Sequence, residues 1–277
     1  MSLIMSQRQA PPGRISLFGI TPDRLAGLSL AEIERLPLAW GNEQPALGEF
    51  FRLSGEVGDS LICEGGDRRF TDFGAGMAAG HCTWHGDAGD FVGRDMLGGS
   101  IKVQGSVGNF AAAGLAGGEL RIDGAAGDRL GAALPWLAGG MRGGRVIVAG
   151  SVGARCGDKL RRGEIFVGGD AGAFCATRMV AGTIAVAGRL GAHPGYGMRR
   201  GTLLLLGEAF APPVSFAETA LCTDAYLRLL WRDWLGRFDA DTAFARFALA
   251  ARDGMALRRW MGDIGSDGRG EVIGLAR

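Results

Sequence analysis

Short runs of alternating apolar and polar residues recur along the middle of the chain, and a glycine closes each run. Between His81 and Gly207 the closing glycines keep a 19-residue period, except that one copy of the unit carries seven extra residues. These glycines are Gly86, Gly105, Gly124, Gly150, Gly169, Gly188 and Gly207. A fixed period with one strand per repeat predicts a stacked array of coils.

Three rows of apolar side chains are predicted to face the inside of this array. The strands supply the first row, because alternation places residues such as Ile101 and Val103 on one face. The second row is the residue inside each Gly-x-x-Gly turn, such as Val107, and the third is the Met or Leu of a Gly-x-x-Met/Leu-x-x-Gly motif, such as Met96. These rows predict an all-β fold, a right-handed single-stranded parallel β-helix of about seven to eight coils with C-terminal α-helices.

Residues before the array do not repeat. We expect residues 1–49 to form a small N-terminal cap, because an unpaired edge strand promotes aggregation unless something covers it. Within this cap, Ser29 and Glu32 have the spacing of a capping box and predict the start of a short helix. The array itself is expected over residues 50–207, with the stretch from Ser60 to Phe70 as an insertion.

The segment after the array, residues 208–277, is expected to form a helical extension and a tail. Apolar residues recur at helical spacing over Glu218–Leu235 and again over Asp239–Ala251, which predicts two helices. The glycine-rich stretch from Gly262 to Arg277 lacks this pattern, so we expect it to become ordered only against another surface.

The outward face of the strands changes from polar to apolar toward the end of the array. Early coils carry residues such as Lys102 and Arg121 at the outward positions, whereas Phe166 and Leu204 occupy them later. A strand that is apolar on both faces must be covered. Either the C-terminal helices of the same chain cover this face, or a partner subunit docks on Phe166 and Leu204.

Composition narrows the class of protein. The 277 residues include 30 Lys and Arg against 29 Asp and Glu, a net charge of +1 that gives no reason to expect binding to nucleic acid or to a membrane surface. Five cysteines without a Cys-x-x-Cys pair argue against a disulfide framework. The sequence shows neither a signal peptide nor a membrane-spanning apolar run, so we expect a reduced, cytoplasmic protein.

Candidate catalytic and metal-binding residues are few. His81 and His85 lie in one predicted strand, where residues four apart are about 13 Å from each other and so cannot chelate one ion. Cys156 and Cys175, one period apart, are expected at stacked positions, where buried free thiols are favoured over a disulfide in a reducing compartment. We therefore expect neither catalytic residues nor a metal site in this chain.

A row of basic residues is predicted at one corner of the stacked coils, next to the third inward row. We call it the basic ridge, and it comprises Arg142, Lys159, Arg161, Arg162, Arg178, Arg199 and Arg200. One interpretation is a solvated corner whose cations pair with Asp158, Glu164 and Asp170. The other is a surface that binds an anion or docks a subunit, because stacked guanidinium groups repel one another unless anions lie between them.

The seven extra residues of the long repeat form a second candidate contact. They fall within the segment Ala132–Gly140, which is apolar and contains Trp136. An apolar loop with a tryptophan that projects from a repeat is typical of a binding protrusion.

The tandem Gly-x-x-Gly and Gly-x-x-Met-x-x-Gly coils resemble the GXGXG β-helix of two families, the C subunit of formylmethanofuran dehydrogenase and the C-terminal domain of the glutamate synthase large subunit. The leader from Leu28 to Asn42, LSLAEIERLPLAWGN, and the following segment Leu47–Gly55 are similar to the first family. The resemblance covers about residues 15–207. The flanking segments around the coils favour the C subunit, and a glutamate synthase-related structural module is the alternative.

The alanine- and arginine-rich composition favours the bacterial member of this family, the formyltransferase/hydrolase complex of methylotrophs. The resemblance implies a non-catalytic scaffold subunit in a complex that moves a formyl group from tetrahydromethanopterin to a methanofuran-type carrier and releases formate. It implies an amidohydrolase-like metal subunit, a formyltransferase subunit and a further subunit as partners, with no cofactor in this chain. The basic ridge would then meet the acidic glutamyl tail of the carrier or an acidic partner protein.

Overall fold

The computed structural model describes residues 2–207, 212–220 and 225–275. In the described part of the chain, an open mixed sheet of 13 strands dominates, with a small two-stranded sheet beside it. The strands are β1 (Ser2–Gln7), β2 (Ile15–Ser16), β3 (Phe51–Gly55), β4 (Ser60–Glu64), β5 (Phe70–Thr71), β6 (His81–Trp84), β7 (Ser100–Val103), β8 (Glu119–Ile122), β9 (Arg142–Val148), β10 (Arg162–Val167), β11 (Thr183–Val186), β12 (Thr202–Leu205), β13 (Ala217–Thr219), β14 (Leu257–Gly262) and β15 (Gly270–Leu275). The helices are α1 (Pro22–Leu25), α2 (Leu30–Glu34), α3 (Leu47–Phe50), α4 (Ala225–Arg237) and α5 (Ala243–Arg252).

Strands β6 to β12 lie side by side in chain order and are parallel. Ile101 of β7 pairs with Leu120 of β8, one period later, and Leu120 pairs with Val146 of β9 across the long repeat. The 19-residue spacing returns between β10, β11 and β12. The register of the stacked strands therefore confirms the repeat that the glycine spacing predicts.

The three predicted inward rows form the core of the stack. The strand residues of the first row are 4% exposed or less, and the Met and Leu residues of the third row are fully buried. The second row forms its own parallel bridges, which join Val107, Ala126, Val152, Ala171 and Leu190 in succession. A second parallel ladder thus joins successive repeats, in addition to the ladder of the strands.

The beginning of the stack differs from the prediction. Strand β4 pairs in parallel with β6, with Ser60 opposite His81, so the stretch that starts at Ser60 contains a coil strand and is not simply an insertion. Strand β3, predicted to open the array, pairs instead with β1 in an antiparallel arrangement. The repeat was hidden at this end because the coil between β4 and β6 is longer than the 19-residue period.

The predicted capping box is present at the start of α2. The Ser29 hydroxyl accepts a hydrogen bond from the Glu32 N–H at 3.3 Å, and the Glu32 carboxylate accepts one from the Ser29 N–H at 2.8 Å. Leu30 and Ile33 pack against the same core as the stacked strands. The N-terminal segment therefore belongs to the body of the protein.

We expect Ser29→Ala to lower the free energy of unfolding by about 1 kcal/mol, because the Glu32 N–H loses its capping acceptor. Urea denaturation followed by circular dichroism measures this change. Ser54→Ala, at an exposed position of β3, is the control and should change stability by less than about 0.5 kcal/mol. Equal stability of the two variants would show that the cap contributes nothing.

The C-terminal helices of the chain itself cover the apolar outward face. Phe166, Ala185 and Leu204 form one buried cluster with residues of α4 and α5, among them Trp234 and Phe244. The rings of Trp234 and Phe244 both lie 5.3 Å from that of Phe166, centroid to centroid. The first of the two alternatives, cover by the same chain, is confirmed.

An ion-pair network ties α4 to the stack at the edge of this cluster. The Arg145 guanidinium lies 3.2 Å from the Glu119 carboxylate and 2.9 Å from that of Glu164, and Arg237 of α4 lies 3.7 Å from Glu164. Burial raises the pKa of the Glu164 carboxyl above its usual value, although the neighbouring Arg145 opposes that shift. The network holds the end of α4 against β10.

The C-terminal tail differs from the prediction. The stretch predicted to need another surface contains β15, which pairs in parallel with β12 and antiparallel with β14 of the same chain. The first predicted helix is also shorter, because α4 begins at Ala225 and residues 217–219 form β13; residues 221–224 lie outside the described part. The tail is ordered because Val272 and Ile273 continue the two apolar faces of the last coil and are buried.

Candidate docking surface

Five arginines of the basic ridge line one open groove of about 640 Å³. They follow the third inward row and are Arg142, Arg161, Arg162, Arg199 and Arg200. Arg142 and Arg162 pair directly in the register of β9 and β10. Val180 and Ala181 occupy the coil between the two arginine pairs and form the floor of the groove. All five arginine side chains belong to exposed residues.

The three carboxylates predicted to neutralise the basic ridge have other partners. The Asp158 carboxylate pairs with Arg178 at 2.5 Å, and Glu164 pairs with Arg145 on another side of the strand. The Asp170 carboxylate accepts a hydrogen bond from the backbone N–H of Arg189 at 2.7 Å. Among the described residues, no carboxylate oxygen lies within 4.0 Å of the five groove arginines. Pairing with these three acids therefore accounts for Arg178 and leaves the groove cationic.

Two members of the basic ridge have local partners outside the groove. Arg178 makes two hydrogen bonds to the buried Asp158 carboxylate, and the Lys159 ammonium donates to the carbonyl oxygen of Leu137 at 3.4 Å. These two cations therefore help to hold their own corner and the neighbouring loop. The structure brings together five of the seven residues predicted for the ridge.

The Trp136 loop borders this groove. Trp136 is 73% exposed, and with Leu137 and Phe18 it lines a second open groove of about 640 Å³. Arg142 and Arg161 line both grooves and so join them into one surface. This surface has an aromatic end and a cationic end.

Gly139 sets the contact between the loop and the ridge. A Cβ atom at this position would overlap the Nε atom of Arg161, so the Arg161 side chain lies directly against the loop backbone. A side chain at this position would displace Arg161 from its place against the loop. The loop and the cationic groove are therefore positioned relative to each other by direct contact.

The two apolar residues predicted for docking lie elsewhere. Phe166 and Leu204 are fully buried beneath α4 and α5, so neither is available to a partner on the surface of this structure. The sequence predicted that their face is covered, but it could not decide between the chain's own helices and a second protein.

The buried thiols have the expected environment. Cys156 and Cys175 are free and fully buried, and their mutual hydrogen bond together with burial raises the pKa of Cys156 well above its usual value. A thiol in this state is a poor nucleophile. Within the described ranges, no group of three or more His, Cys, Asp or Glu side chains is placed to hold a metal ion.

Sequence reasoning missed a second feature of the surface. Phe18 and Arg94 form the far wall of the aromatic groove, and the Arg94 guanidinium lies 5.6 Å from the Phe18 ring centroid. Arg94 also stacks on Phe91, which starts a column of outward side chains along the coils. The sequence carries a signal for this column, since Phe91, Phe110 and Phe174 recur at one register position.

None of the helices in the described residues is long and apolar enough to cross a membrane. The guanidinium groups of this surface present several N–H donors of the kind that carboxylate and phosphate oxygens accept.

No family model matches the chain. It is 40% identical over 78 residues to the C subunit of the formyltransferase/hydrolase complex Fhc of Methylorubrum extorquens. It is 32% identical over 96 residues to the C subunit of the tungsten-containing formylmethanofuran dehydrogenase 2 of Methanothermobacter marburgensis. These alignments span 28% and 33% of this chain, and 29% and 36% of the relatives' own lengths.

A solved structure is similar over the whole chain. It is the crystal structure of the formyltransferase/hydrolase complex (FhcABCD) from Methylorubrum extorquens in complex with methylofuran. The likeness has a TM-score of 0.90 and 37% sequence identity, and it covers 99% of this chain and 100% of the compared chain. The similarity thus includes the N-terminal segment and the C-terminal helices as well as the coils.

Proposed function

The chain belongs to the family of C subunits of formyltransferase/hydrolase and formylmethanofuran dehydrogenase complexes, and from this we propose that it is a non-catalytic scaffold subunit. The complex would transfer a formyl group between tetrahydromethanopterin and a methanofuran-type carrier and release formate, the chemistry of formaldehyde oxidation in methylotrophs. The structural neighbour is a complex with methylofuran, which supports a carrier of this class. A glutamate synthase-related module is not favoured by these relatives.

The observation that carries the proposal is the groove of arginines without carboxylate partners beside Trp136. Five exposed guanidinium groups without a carboxylate partner repel one another in the free chain, and a bound anion removes that repulsion. Tryptophan and arginine are the side chains that most often dominate binding energy at protein interfaces. The surface is therefore suited to docking.

Two occupants fit the cationic groove. One is the acidic glutamyl tail of the methanofuran-type carrier, and the other is an acidic surface of a neighbouring subunit. Either places carboxylates along the stack, where arginines on successive coils lie about 4.8 Å apart. We propose the groove, with Trp136 at its end, as the place where this chain meets an acidic partner in the complex.

The partners we propose are an amidohydrolase-like metal subunit, a formyltransferase subunit and a further subunit of the same complex. The reacting carriers and the metal would be held by these subunits. The described residues of this chain offer a rigid support in which two parallel ladders fix each coil to the next. We propose a cytoplasmic location for the assembly.

We also infer that the stacked coils wind as a right-handed, single-stranded parallel β-helix of about seven to eight turns. The strand ladder and the ladder of turn residues support this, because both are parallel and both advance by one repeat per coil. A right-handed crossover is the general rule for parallel strands in one sheet. We propose residues 50–207 as the bounds of this unit, with β4 as its first parallel strand, between an N-terminal cap and a C-terminal extension.

Purification of the protein from its own host tests the proposal. With an affinity tag on this chain, we expect further subunits to co-purify in fixed stoichiometry, and the assembly to release formate from a formylated carrier. Substitutions at the groove should change the yield of assembly more than the turnover of the complexes that do assemble. Recovery of a monodisperse lone chain would contradict the scaffold role.

A further inference from the structure

A column of aromatic and guanidinium side chains runs along the outside of the coils, beside the basic ridge, and the Asp158 carboxylate contacts Arg155 of the column as well as Arg178 of the ridge. Its rungs occupy one register position in six successive coils and are Phe91, Phe110, Arg129, Arg155, Phe174 and His193. The Phe91 and Phe110 rings stack with centroids 5.4 Å apart. At one coil spacing per step, the column is about 24 Å long.

The backbone conformation at these rungs indicates that the side chains are needed. All six residues have φ between 56° and 63°, a left-handed conformation that costs free energy for any residue with a Cβ atom. Two positions further along each coil the backbone is also left-handed, and there it is mostly glycine, as at Gly93, Gly131 and Gly157. Glycine would serve the fold equally well at the rungs, yet each of the six holds a large side chain.

Ring stacking offsets the free-energy cost of the left-handed backbone at the aromatic rungs. Phe174 stacks on His193 at 5.1 Å, as Phe91 does on Phe110. Such pairs stabilise beyond their buried area. Phe110 and Phe174 also receive the guanidinium groups of the two arginine rungs.

Each of the two arginine rungs, Arg129 and Arg155, has an aromatic neighbour on one side only. The Arg129 guanidinium lies 5.3 Å from the Phe110 ring, and the Arg155 guanidinium 5.1 Å from the Phe174 ring, so each has one aromatic neighbour on its outer side. Arg129 and Arg155 lie on neighbouring coils, about 4.8 Å apart along the stack, so their like charges repel. Arg155 has the Asp158 carboxylate at 3.9 Å, but that acid is already bonded to Arg178, and Arg129 has no ion pair among the described residues.

We propose that Arg129 and Arg155 form an anion clamp for a carboxylate side chain of a partner polypeptide. Two guanidinium groups one coil apart, on the order of 5 Å, can each donate to one carboxylate oxygen. The aromatic rungs on both sides then pack against the same segment. The identity of the partner as another subunit rests on the proposed function, whereas the clamp itself does not.

The shape of the column favours a polypeptide over a small anion. Its rungs are half-exposed along most of the column, and they form an open strip rather than an enclosed pocket. A strip about 24 Å long has the length of an extended segment of roughly seven residues. An acidic residue at the middle of that segment, with apolar or aromatic neighbours, matches the order of rungs.

The first arm of the test uses the full chain alone, with succinate and inorganic phosphate as probes. Either anion at about 50 mM should raise the Tm of the native protein by about 2 °C or more over sodium chloride of equal ionic strength. The double variant Arg129→Gln/Arg155→Gln should show a smaller increase than the native protein, and what remains comes from anions at the cationic groove, which this variant keeps. Arg52→Gln/Arg189→Gln, which removes two exposed arginines elsewhere, should retain the full increase.

The second arm measures binding of each variant to the rest of the purified assembly. Removal of both clamp arginines should weaken binding about 30-fold or more, while the control binds like the native protein. Native-like assembly of the clamp variant overturns the clamp and leaves the proposed function standing. If the clamp variant loses part of the anion effect in the first arm but assembles like the native protein, Arg129 and Arg155 bind a free anion. That result also overturns the clamp for a partner polypeptide. Absence of any partner overturns the proposed function, and with it the polypeptide as occupant.

Discussion

Reversal of the charge at Arg161 and Arg199 together is expected to weaken assembly at least ~100-fold, since a hydrogen bond to a charged group contributes about 1.5–3 kcal/mol and each 1.4 kcal/mol corresponds to a factor of ten. The two arginines lie on different coils of the cationic groove, one on each side of Val180 and Ala181. Glutamate at both positions would repel the carboxylates that the groove is proposed to bind. Titration of Arg161→Glu/Arg199→Glu against the rest of the purified assembly measures the loss.

The stability of the free chain distinguishes a docking role from a structural one. Neither arginine has a carboxylate partner within 4.0 Å among the described residues, so the reversal breaks no ion pair within the chain. The free energy of unfolding should not fall by more than about 0.5 kcal/mol, and loss of the repulsion among the groove arginines acts in the opposite direction. Arg52→Glu/Arg189→Glu carries the same change of charge at exposed sites outside the groove and is the matched control. If both double variants assemble like the native protein, the groove is not a contact surface.

Truncation of Phe166 to alanine is expected to lower the free energy of unfolding by about 3–5 kcal/mol, the usual cost of a deleted core aromatic side chain. Phe166 is fully buried, and its ring contacts those of Trp234, Phe238 and Phe244 with centroids 4.9–5.3 Å apart. The variant leaves a cavity between the stack and both C-terminal helices. Urea denaturation followed by circular dichroism gives the loss.

Leu229→Ala is the control for this prediction. Leu229 lies on the outer side of α4 and is 54% exposed, so its truncation should cost less than about 0.5 kcal/mol. A loss below about 1 kcal/mol for Phe166→Ala would contradict the assignment of α4 and α5 as a packed cover. It would favour an apolar face that a second protein covers.

The core of the stack could be predicted because the repeat constrains it at three positions per coil. Ile101, Val107 and Met96 each represent a row that recurs at the same register, so one pattern fixes many inward side chains. The first and last strands of the stack were harder to predict from the sequence. The coil that begins with β4 is longer than the 19-residue period, and β15 lies in a glycine-rich stretch. Neither strand therefore shows the spacing that identifies the other strands.

The candidate site could be predicted in part. The register placed the arginines of the ridge at one corner, and the extra residues of the long repeat marked the Trp136 loop. The sequence could not show that Asp158 is occupied by Arg178, or that Glu164 turns toward Arg145, because the direction of a long side chain depends on its neighbours in space. That difference decides whether the ridge is neutralised or remains free to bind.

The outward column of side chains follows the same period as the inward rows. Phe110 and Arg129 stand at one register position, one period apart, and were open to the same reasoning as the inward rows. Their left-handed backbone was not readable, because that conformation is usually signalled by glycine and here is held by large side chains. Only the structure places their side chains against each other.

Arginine-specific labelling of the assembled complex, read by mass spectrometry, tests most directly whether the cationic groove is the docking surface. In the free chain the groove arginines are exposed and should react readily with a dicarbonyl reagent. In the assembly we expect Arg161, Arg162, Arg199 and Arg200 to react at least tenfold more slowly. Equal reactivity of these four arginines in the free chain and in the assembly would contradict the account.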